Sequence, residues 1–329
     1  MRIFSGIQPT GRKHLGNYIG AMRQYVEGQE RGDPAIYCVV DLHATGVEYD
    51  PKTLPEYTLD TTAMLIAAGL DPQRCILFRQ SDVMEHTELC WLLCAVTAYG
   101  DLQRMHQFKD KAQREQKLVR ASLFLYPVLQ AADILAYKTD EVPVGDDQRQ
   151  HLELARDIAE RFNATYGEVL VVPEHRIPDV GARIMDLQDP TTKMSTTYSS
   201  ENGLIYVDDE PDAIRKKVKR AQTDSGSEVR RGEGKEGIAN LIEIMSVARG
   251  SDPAEIEKEF EGQGYGAFKE AVGDAVADLL APVRERYAEL RGDEQALEAT
   301  LQDGAERARA IASGTLAEVR AAMGVGPAV

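Results

Sequence analysis

The chain opens on a short run of β-branched and aromatic residues, Ile3, Phe4 and Ile7, that stops at Gln8-Pro9. A glycine-bearing turn follows, and Asn17-Tyr18-Ile19-Gly20-Ala21-Met22 has the texture of a helix opening. Ala35 to Ala44, AIYCVVDLHA, is a near-continuous apolar run that ends on Asp41 and His43. That is the pattern of a buried parallel strand with polar groups at its carboxyl end. Thr58 to Gly69 predicts a helix closed by a glycine cap, Cys75 to Phe78 a further strand, and Thr87 to Tyr99 a helix carrying Trp91. Alternating strands and helices predict an α/β fold, a doubly wound parallel sheet with right-handed crossovers. In such sheets ligands bind at the carboxyl ends of the strands, so polar residues just after strands weigh most.

The texture changes near Thr197. Tyr198 to Gly203 is polar and turn-rich, a linker by composition. A short LIYV strand comes next. Helical patterns follow over Pro211 to Ala221, Gly237 to Ala248 and Pro253 to Phe260, then long Ala/Glu/Arg/Leu stretches run to Met323. The expected division is a sheet domain over 1–198 and a smaller helical domain over 199–329. The pattern leaves open whether the last helices pack back on the sheet.

Composition narrows the class. A chain of 329 residues, 43% hydrophobic and 28% charged, is that of a soluble globular protein with room for two domains. No apolar run approaches the roughly 18 residues that span a bilayer. The strand-like start argues against a signal peptide, so a cytoplasmic location with no membrane partner is expected. Cys38 and Cys75 sit in apolar runs, and Cys90 and Cys94 lie one helical turn apart with no second pair to complete a metal site. All four are expected to be reduced core thiols. The net charge of −16 excludes a broad electrostatic grip on nucleic acid. It leaves room for a local footprint at Arg215-Lys216-Lys217-Val218-Lys219-Arg220, a run that reads equally as a solvated helix face.

Two segments carry candidate chemistry. In Pro9 to Asn17, PTGRKHLGN, a turn between strand and helix offers unpaired backbone N–H groups that attract phosphate. Gly11 and Gly16 allow close approach to the backbone, and His14 and Asn17 add side-chain donors. An ordinary first βα turn is the other reading. In Thr191 to Thr197, TTKMSTT, a lysine in a small, hydroxyl-rich loop suits a mobile lid over phosphates.

Together, with a doubly wound sheet between them, HLGN and KMS resemble the paired signatures of class I aminoacyl-tRNA synthetases. SGIQPTGRKHLGNYIGA, YGDLQRMHQFKDKA, YPVLQAADILAY, VPVGDDQRQHLELARDIAERFN and VGARIMDLQDPTTKMS are similar to successive blocks of the bacterial-type tryptophanyl-tRNA synthetases, in their order and rough spacing. TDSGSEVR, GIANLIEI and EGQGYGAFKEAV resemble that family's helical domain, so the likeness covers essentially the whole chain.

The resemblance implies a Rossmann-like catalytic domain, a helical domain for anticodon recognition and a two-step reaction. Tryptophan and ATP give tryptophanyl-adenylate and pyrophosphate, and the acyl group passes to the 3′-terminal adenosine of tRNA(Trp). In-line attack of a carboxylate on phosphorus is helped by positioning and charge stabilisation, so no side-chain nucleophile is needed. By resemblance, Gln8, Pro9, Thr10, His14, Gly16 and Asn17 form one side of the ATP site, and Gly145, Asp146, Asp147 and Ile184 the other. Lys193 with Lys109 and Lys111 would meet the triphosphate, and Met194, Ser195, Thr196 and Thr197 complete the lid. Mg2+ would accompany ATP with few direct protein ligands. The family also implies a homodimer, one tRNA bridging both subunits.

Specificity would sit in Tyr126 to Asp133. Pro127 suits the first turn of a helix, which puts Asp133 two turns in, in an apolar context. A carboxylate there is costly unless paired. An exposed or salt-bridged acid is one reading; an acceptor for the indole N–H is the functional one. A site built for that donor penalises amino acids that lack it. Phe4, His43, Val142, Val144 and Gln148 complete the pocket by resemblance, although His43 also fits a capping or core histidine.

Two departures stand out. The family's lid motif is usually KMSKS, and here Thr196 replaces the second lysine, one positive charge fewer. Gln130 stands where methionine is frequent, three residues before Asp133 and on the same helix face, within reach of bonding it. The nearest rival is a tyrosyl-tRNA synthetase, whose phenol could also donate to Asp133. Further rivals are a nucleotidyltransferase that adenylates another carboxylate without tRNA, and a non-catalytic tRNA-binding relative.

Overall fold

The computed structural model describes residues 1–105, 119–143, 145, 148–176, 183–196 and 199–327. Five strands, β1 (Ile3–Ile7), β2 (Ala35–Val39), β3 (Ile76–Arg79), β4 (Glu141–Pro143) and β5 (Glu174–Arg176), form one parallel sheet in the order β3-β2-β1-β4-β5. β1 pairs with β2 along its length, Ile3 with Ala35 through Ile7 with Val39. With β4 it registers at Ile3 and Glu141. The chain runs from β1 outward to β3 on one side and then returns to β4 and β5 on the other. The reversal point, where such sheets bind ligands, therefore lies between β1 and β4.

β2 is buried on both faces, which is why its sequence reads as an unbroken apolar run. Ala35, Tyr37 and Val39 enter one hydrophobic cluster, and Ile36 and Cys38 enter the other. On the first face lie α1 (Leu15–Asn17), a π-helical turn (Tyr18–Met22), α2 (Arg23–Glu30) and α4 (Leu54–Ala67). On the second lie α5 (Glu85–Cys94), α6 (Tyr99–Arg104), α7 (Ala121–Leu135) and α8 (Arg149–Tyr166).

Four expectations about elements change. The strand read through Ala44 stops at Val39, and Asp41 opens a four-residue helix, α3 (Asp41–Ala44). The Asp41 carboxylate is drawn into this turn by Ser81, accepting its N–H at 3.0 Å and its hydroxyl at 2.5 Å. The helix expected to reach Tyr99 ends at Cys94. There Thr97 Oγ1 donates to the Leu93 carbonyl and an Arg161 N–H to that of Val96, so side chains replace the next helical turn. Pro127 is not in a first turn: α7 begins at Ala121, and Asp133 falls in its last turn. Burial of Leu123, the residue whose carbonyl loses its donor to the proline, favours the longer helix. LIYV is not a strand of the sheet. It clips to the N-terminal lip, with a bridge between His14 and Tyr206.

The remaining helices are α9 (Pro211–Lys219), α10 (Glu236–Arg249), α11 (Pro253–Glu259), α12 (Gly264–Arg291) and α13 (Glu294–Met323). α12 packs on α9, α10 and α4, so one apolar cluster runs from the first sheet face into the helical body. α13 returns to the sheet and covers the edge strand β3. It lies so close that a Cβ at Gly304 would come within 1.9 Å of the Leu77 carbonyl oxygen. Arg79–Glu298 and Lys138–Glu318 ion pairs, each at 2.7 Å, fasten it. Among the described residues no helix is long and apolar enough to cross a membrane.

Candidate active site

The segment after β1 forms a lip held from three directions. Backbone bonds from Leu15 N–H to Ile205 O (2.8 Å) and from Val207 N–H to Lys13 O (2.9 Å) tie it to the 204–207 segment. Arg12 pairs with Asp208 and Asp209 and lies 4.0 Å over the Tyr206 ring. Lys13, which sequence patterning passed over, turns inward and donates to the carbonyl of Gln8 at 2.9 Å.

His14 and Asn17 cap each other. The Asn17 N–H donates to His14 Nδ1 (3.3 Å) and the His14 N–H to Asn17 Oδ1 (3.1 Å), a reciprocal arrangement that fixes both side chains. An accepting Nδ1 places the ring proton on Nε2. Burial, with the charges of Lys13 and Lys193, pushes the His14 imidazole down to about 4, so it is neutral at physiological pH. The His14 ring lies beside Gly16, where a Cβ would meet it at 3.0 Å. Gly11 keeps its expected freedom, with a φ of +59° and nothing within 4 Å. Gln8 and Thr10 are exposed on the lip, and Pro9 is buried beneath it.

The KMS segment is one arm of a hairpin. Met185 bridges Lys193, the Met194 N–H donates to Ile184 O at 3.0 Å, and the Asp186 N–H donates to Thr192 O at 2.9 Å. Ile184 and Met194 are buried, Ser195 is half-buried, and Lys193 and Thr196 are exposed. Asn240 of α10 fixes the other arm by bonding both the N–H and the carbonyl of Met185. The hairpin sits against the lip: a Cβ at Gly16 would lie 3.8 Å from that of Ile184, and Lys193 is close enough for its charge to act on His14. The two segments singled out by sequence therefore meet in space.

Asp133 is buried, 1% exposed, and paired. Its Oδ1 faces His86 Nδ1 at 2.6 Å and accepts from Gln80 Nε2 at 2.7 Å, and its Oδ2 faces His43 Nε2 at 2.7 Å. Burial alone would raise this carboxyl, but the two histidines hold it well below the usual carboxylate range. A carboxylate offers about four acceptor sites. Described residues fill two on Oδ1 and one on Oδ2, which leaves one on Oδ2. The partners are themselves oriented. Gln80 Oε1 accepts the Leu42 N–H (3.1 Å), and His86 Nε2 lies 2.5 Å from the Tyr137 hydroxyl. Burial raises the Tyr137 phenol far above its usual range, so it stays protonated in its contact with His86.

Of the other expected pocket residues, Tyr126 bonds His151 Nε2 at 2.7 Å and meets the His43 ring edge-on at 6.4 Å. Phe4 is buried in a stack on Tyr137, with centroids 5.4 Å apart, and Val142 is buried in β4. Gln130 donates to Gln148 Oε1 at 3.4 Å; the amide that bonds Asp133 is that of Gln80, not Gln130. Gly145 is exposed and accepts the Gln148 N–H at 2.9 Å. Lys109, Lys111, Val144, Asp146, Asp147 and Thr197 lie outside the described residues. The basic run splits: Arg215 pairs with Asp274 and Lys217 with Asp209, both at 2.7 Å, while Lys216, Lys219 and Arg220 are exposed.

Gln80, His86, Tyr137, Lys13 and Gly6 belong to the site region without having been singled out. Gln80 was within reach, a polar residue directly after β3. Gly6 is exposed although it lies in the central strand, and a Cβ there would meet the Val40 side chain at 2.9 Å. The lip follows β1, His43 follows β2 and Gln80 follows β3. One end of the sheet thus gathers a phosphate-type turn, a lysine hairpin and a buried acceptor.

The model for class I tRNA synthetases of the tryptophan and tyrosine type matches residues 1–281. The tryptophan–tRNA ligase of Wolinella succinogenes is 49% identical over 324 residues, which cover 98% of each chain. The chain belongs to the tryptophan–tRNA ligases. As a member it attaches tryptophan to tRNA at the expense of ATP, and the tyrosine, tRNA-independent and non-catalytic alternatives give way to this assignment. Among solved structures, the tryptophanyl-tRNA synthetase of Mycoplasma pneumoniae is 35% identical with a TM-score of 0.91, covering 99% of this chain and 98% of its own. That of Campylobacter jejuni, complexed with ADP and tryptophan, is 34% identical with a TM-score of 0.84, covering 99% of this chain and 100% of its own. The enzyme is thus a Rossmann-like class I synthetase with helices appended to its sheet.

Proposed function

We propose that this ligase forms tryptophanyl-adenylate in the cleft between lip and hairpin, with the indole seated against Asp133. The observation that carries the reading is the open acceptor site on Asp133 Oδ2 beside His43. The indole N–H is the one donor of that ring. An ionised, buried acceptor whose other sites are already filled orients it, and an apolar side chain in its place leaves the carboxylate short of a partner. Tyr126, Phe4, His43, Val142, Val144, Gln130 and Gln148 shape the rest of the pocket.

The carboxylate of tryptophan attacks the α-phosphorus of ATP in line, the bond to the β-phosphate oxygen breaks, and pyrophosphate leaves. Gln8, Pro9, Thr10, Gly16 and Asn17 hold the nucleotide from the lip, with the His14 Nε2–H as a donor. Lys193, with Met194, Ser195, Thr196 and Thr197 around it, closes on the phosphates from the hairpin, and Lys109 and Lys111 add charge. Gly145, Asp146, Asp147 and Ile184 receive the adenosine. Thr196 contributes a hydroxyl where a second lysine would add charge. Among the described residues no group of three His, Cys, Asp or Glu side chains could hold a metal ion. Mg2+ would accompany ATP with few direct protein ligands and neutralise the charge of its phosphates. In the second step a hydroxyl of the 3′-terminal adenosine of tRNA(Trp) attacks the acyl carbon and displaces AMP.

Residues 1–198 carry both small substrates. Residues 199–329 recognise the anticodon, apart from α13, which stays with the sheet. The enzyme acts in the cytoplasm as a homodimer. Amino-acid-dependent ATP–pyrophosphate exchange tests the reading: it is expected with tryptophan and absent with tyrosine, and Lys193→Ala is expected to lower kcat chiefly. Exchange with tyrosine alone overturns the specificity, and an unchanged kcat for Lys193→Ala overturns the role of the hairpin.

A further inference from the structure

Two lysines are buried among the described residues, and they are neutralised differently. Lys217 meets the Asp209 carboxylate at 2.7 Å. Lys13, 5% exposed, spends its hydrogen bonds on backbone carbonyls. Its Nζ donates to Gln8 O at 2.9 Å, with Gly11 O at 3.4 Å and Thr10 O at 3.5 Å. The three donors of one ammonium thus meet three carbonyls of the turn that joins β1 to α1. Arg12, paired with Asp208 and Asp209, anchors the far end of that turn, whereas within it Gln8 and Thr10 are exposed and Gly11 has open space beside it.

We propose that the Lys13 ammonium is a positioning group for the nucleotide, holding the Gln8 to Gly11 turn in its ATP-binding shape, and that ATP binding weakens when Lys13 loses its proton. A neutral amine has two N–H donors for three carbonyls, and its lone pair repels the third. The inference rests on the reading of this lip as part of the ATP site.

The surroundings make that proton labile within an accessible range. Burial lowers the Lys13 amine to about 8, and the Asp60 carboxylate on α4 offsets only part of this. Asp60 is itself engaged by Arg291 and Tyr287 of α12. On the 204–209 side, Asp208 and Asp209 are paired with Arg12, and Asp209 also with Lys217. Along the lip stands His14, with Lys193 of the hairpin beyond it. His14, lowered to about 4, and Tyr287, pushed up to about 12, both keep one charge state around pH 8.

The test is the KM for ATP in tryptophan-dependent pyrophosphate exchange, measured on the full chain from about pH 7 to about pH 9.5. Wild type is expected to show an ATP KM that climbs about fivefold by about one unit above the Lys13 midpoint, on the way to a plateau about tenfold up, as the competent fraction falls. Lys13→Met is expected to start about tenfold high at neutral pH and to stay flat, with its tryptophan KM within about twofold of wild type. Lys13→Arg, which keeps its proton, is expected to be flat as well. A flat wild-type profile overturns the proposal, even where Lys13→Met does not fold. So does a Lys13→Met profile with the same slope as wild type, which assigns the titration to another group. Asn17→Ala separates the two levels of the inference. An ATP KM raised in Asn17→Ala but unchanged in Lys13→Met removes only the role of Lys13. If neither variant raises the ATP KM, the lip is not the nucleotide site.

Discussion

Asp133 concentrates the chemistry of recognition into a single side chain. Three donors among the described residues face it, which leaves one acceptor site, so its replacement does two things at once. Asp133→Ala deletes the proposed partner of the indole and leaves His43, His86 and Gln80 facing an apolar gap, each unpaired group costing about 1–3 kcal/mol. The expected outcome is a tryptophan KM at least about a hundredfold higher in pyrophosphate exchange, with the ATP KM as internal control. His86→Ala removes one donor and leaves the carboxylate in place, so its effect on the tryptophan KM is expected to be smaller. The reverse order, or intact selectivity in Asp133→Ala, removes Asp133 from the pocket. The pH dependence has a definite sign. The carboxyl is held below the ordinary carboxylate range in the folded state. Its contribution to stability is therefore fully present above that range, and it is lost as pH falls through the lower folded value. Tryptophan binding is accordingly expected to show no titration from this group at or above neutral pH.

Elements differ in how legible they were, and the reasons are physical. β2 announced itself because both of its faces are buried, and β1 because Ile3, Phe4 and Ile7 stop at a proline. PTGRKHLGN and TTKMSTT stood out as candidate phosphate segments because that chemistry needs small residues and a lysine in short loops, and the structure brings the two together. What stayed hidden depends on contacts made across the fold. Ser81 draws Asp41 into a helical turn, the packing of Leu123 carries α7 upstream of Pro127, and LIYV is taken by the lip before it can join the sheet. Gln80, His86 and Tyr137 converge on Asp133 only once β3, α5 and α7 are packed, and no local pattern marks that convergence. The return of α13 was likewise open, and Gly304 records how close it comes. A Cβ there would collide with the Leu77 carbonyl, which is backbone and cannot swing aside. Gly304→Ala is expected to lower the stability measured by urea unfolding by about 1–3 kcal/mol, the usual cost of overpacking. Gly314→Ala on the same helix, where nothing lies within 4 Å, is expected to be neutral or slightly stabilising. Equal effects at the two positions would mean that helix propensity, not the contact with β3, decides.

At the scale of the whole molecule, several large apolar side chains on and beside α5 to α7 stand exposed among the described residues. Trp91 is 75% exposed, Met84 76% and Tyr99 66%, and Val119 and Leu125 are exposed on the neighbouring segments. These residues belong to packed elements: α5 and α6 both pack on α7, and the Tyr99 ring lies 5.3 Å from that of Phe124. Exposed apolar groups gathered on adjoining elements mark an interaction site. A net charge of −16 makes the chain repel copies of itself in general, so a specific apolar contact is what a pair needs to form. A second copy seated on α5 to α7 fits the proposed homodimer. Trp91 is the sole tryptophan of the chain, so its fluorescence reports on this face without labelling. In sedimentation the wild type is expected at twice the 36.3 kDa monomer mass, with a Trp91 emission that shifts to the red on dilution into the monomer range. Tyr99→Asp places a charge at the contact and is expected to give the monomer mass, with the red-shifted emission at every concentration. Substrate tryptophan is left out of the fluorescence samples so that Trp91 is the only indole observed. A Tyr99→Asp protein that remains dimeric with an unshifted emission would place the subunit contact elsewhere on the molecule.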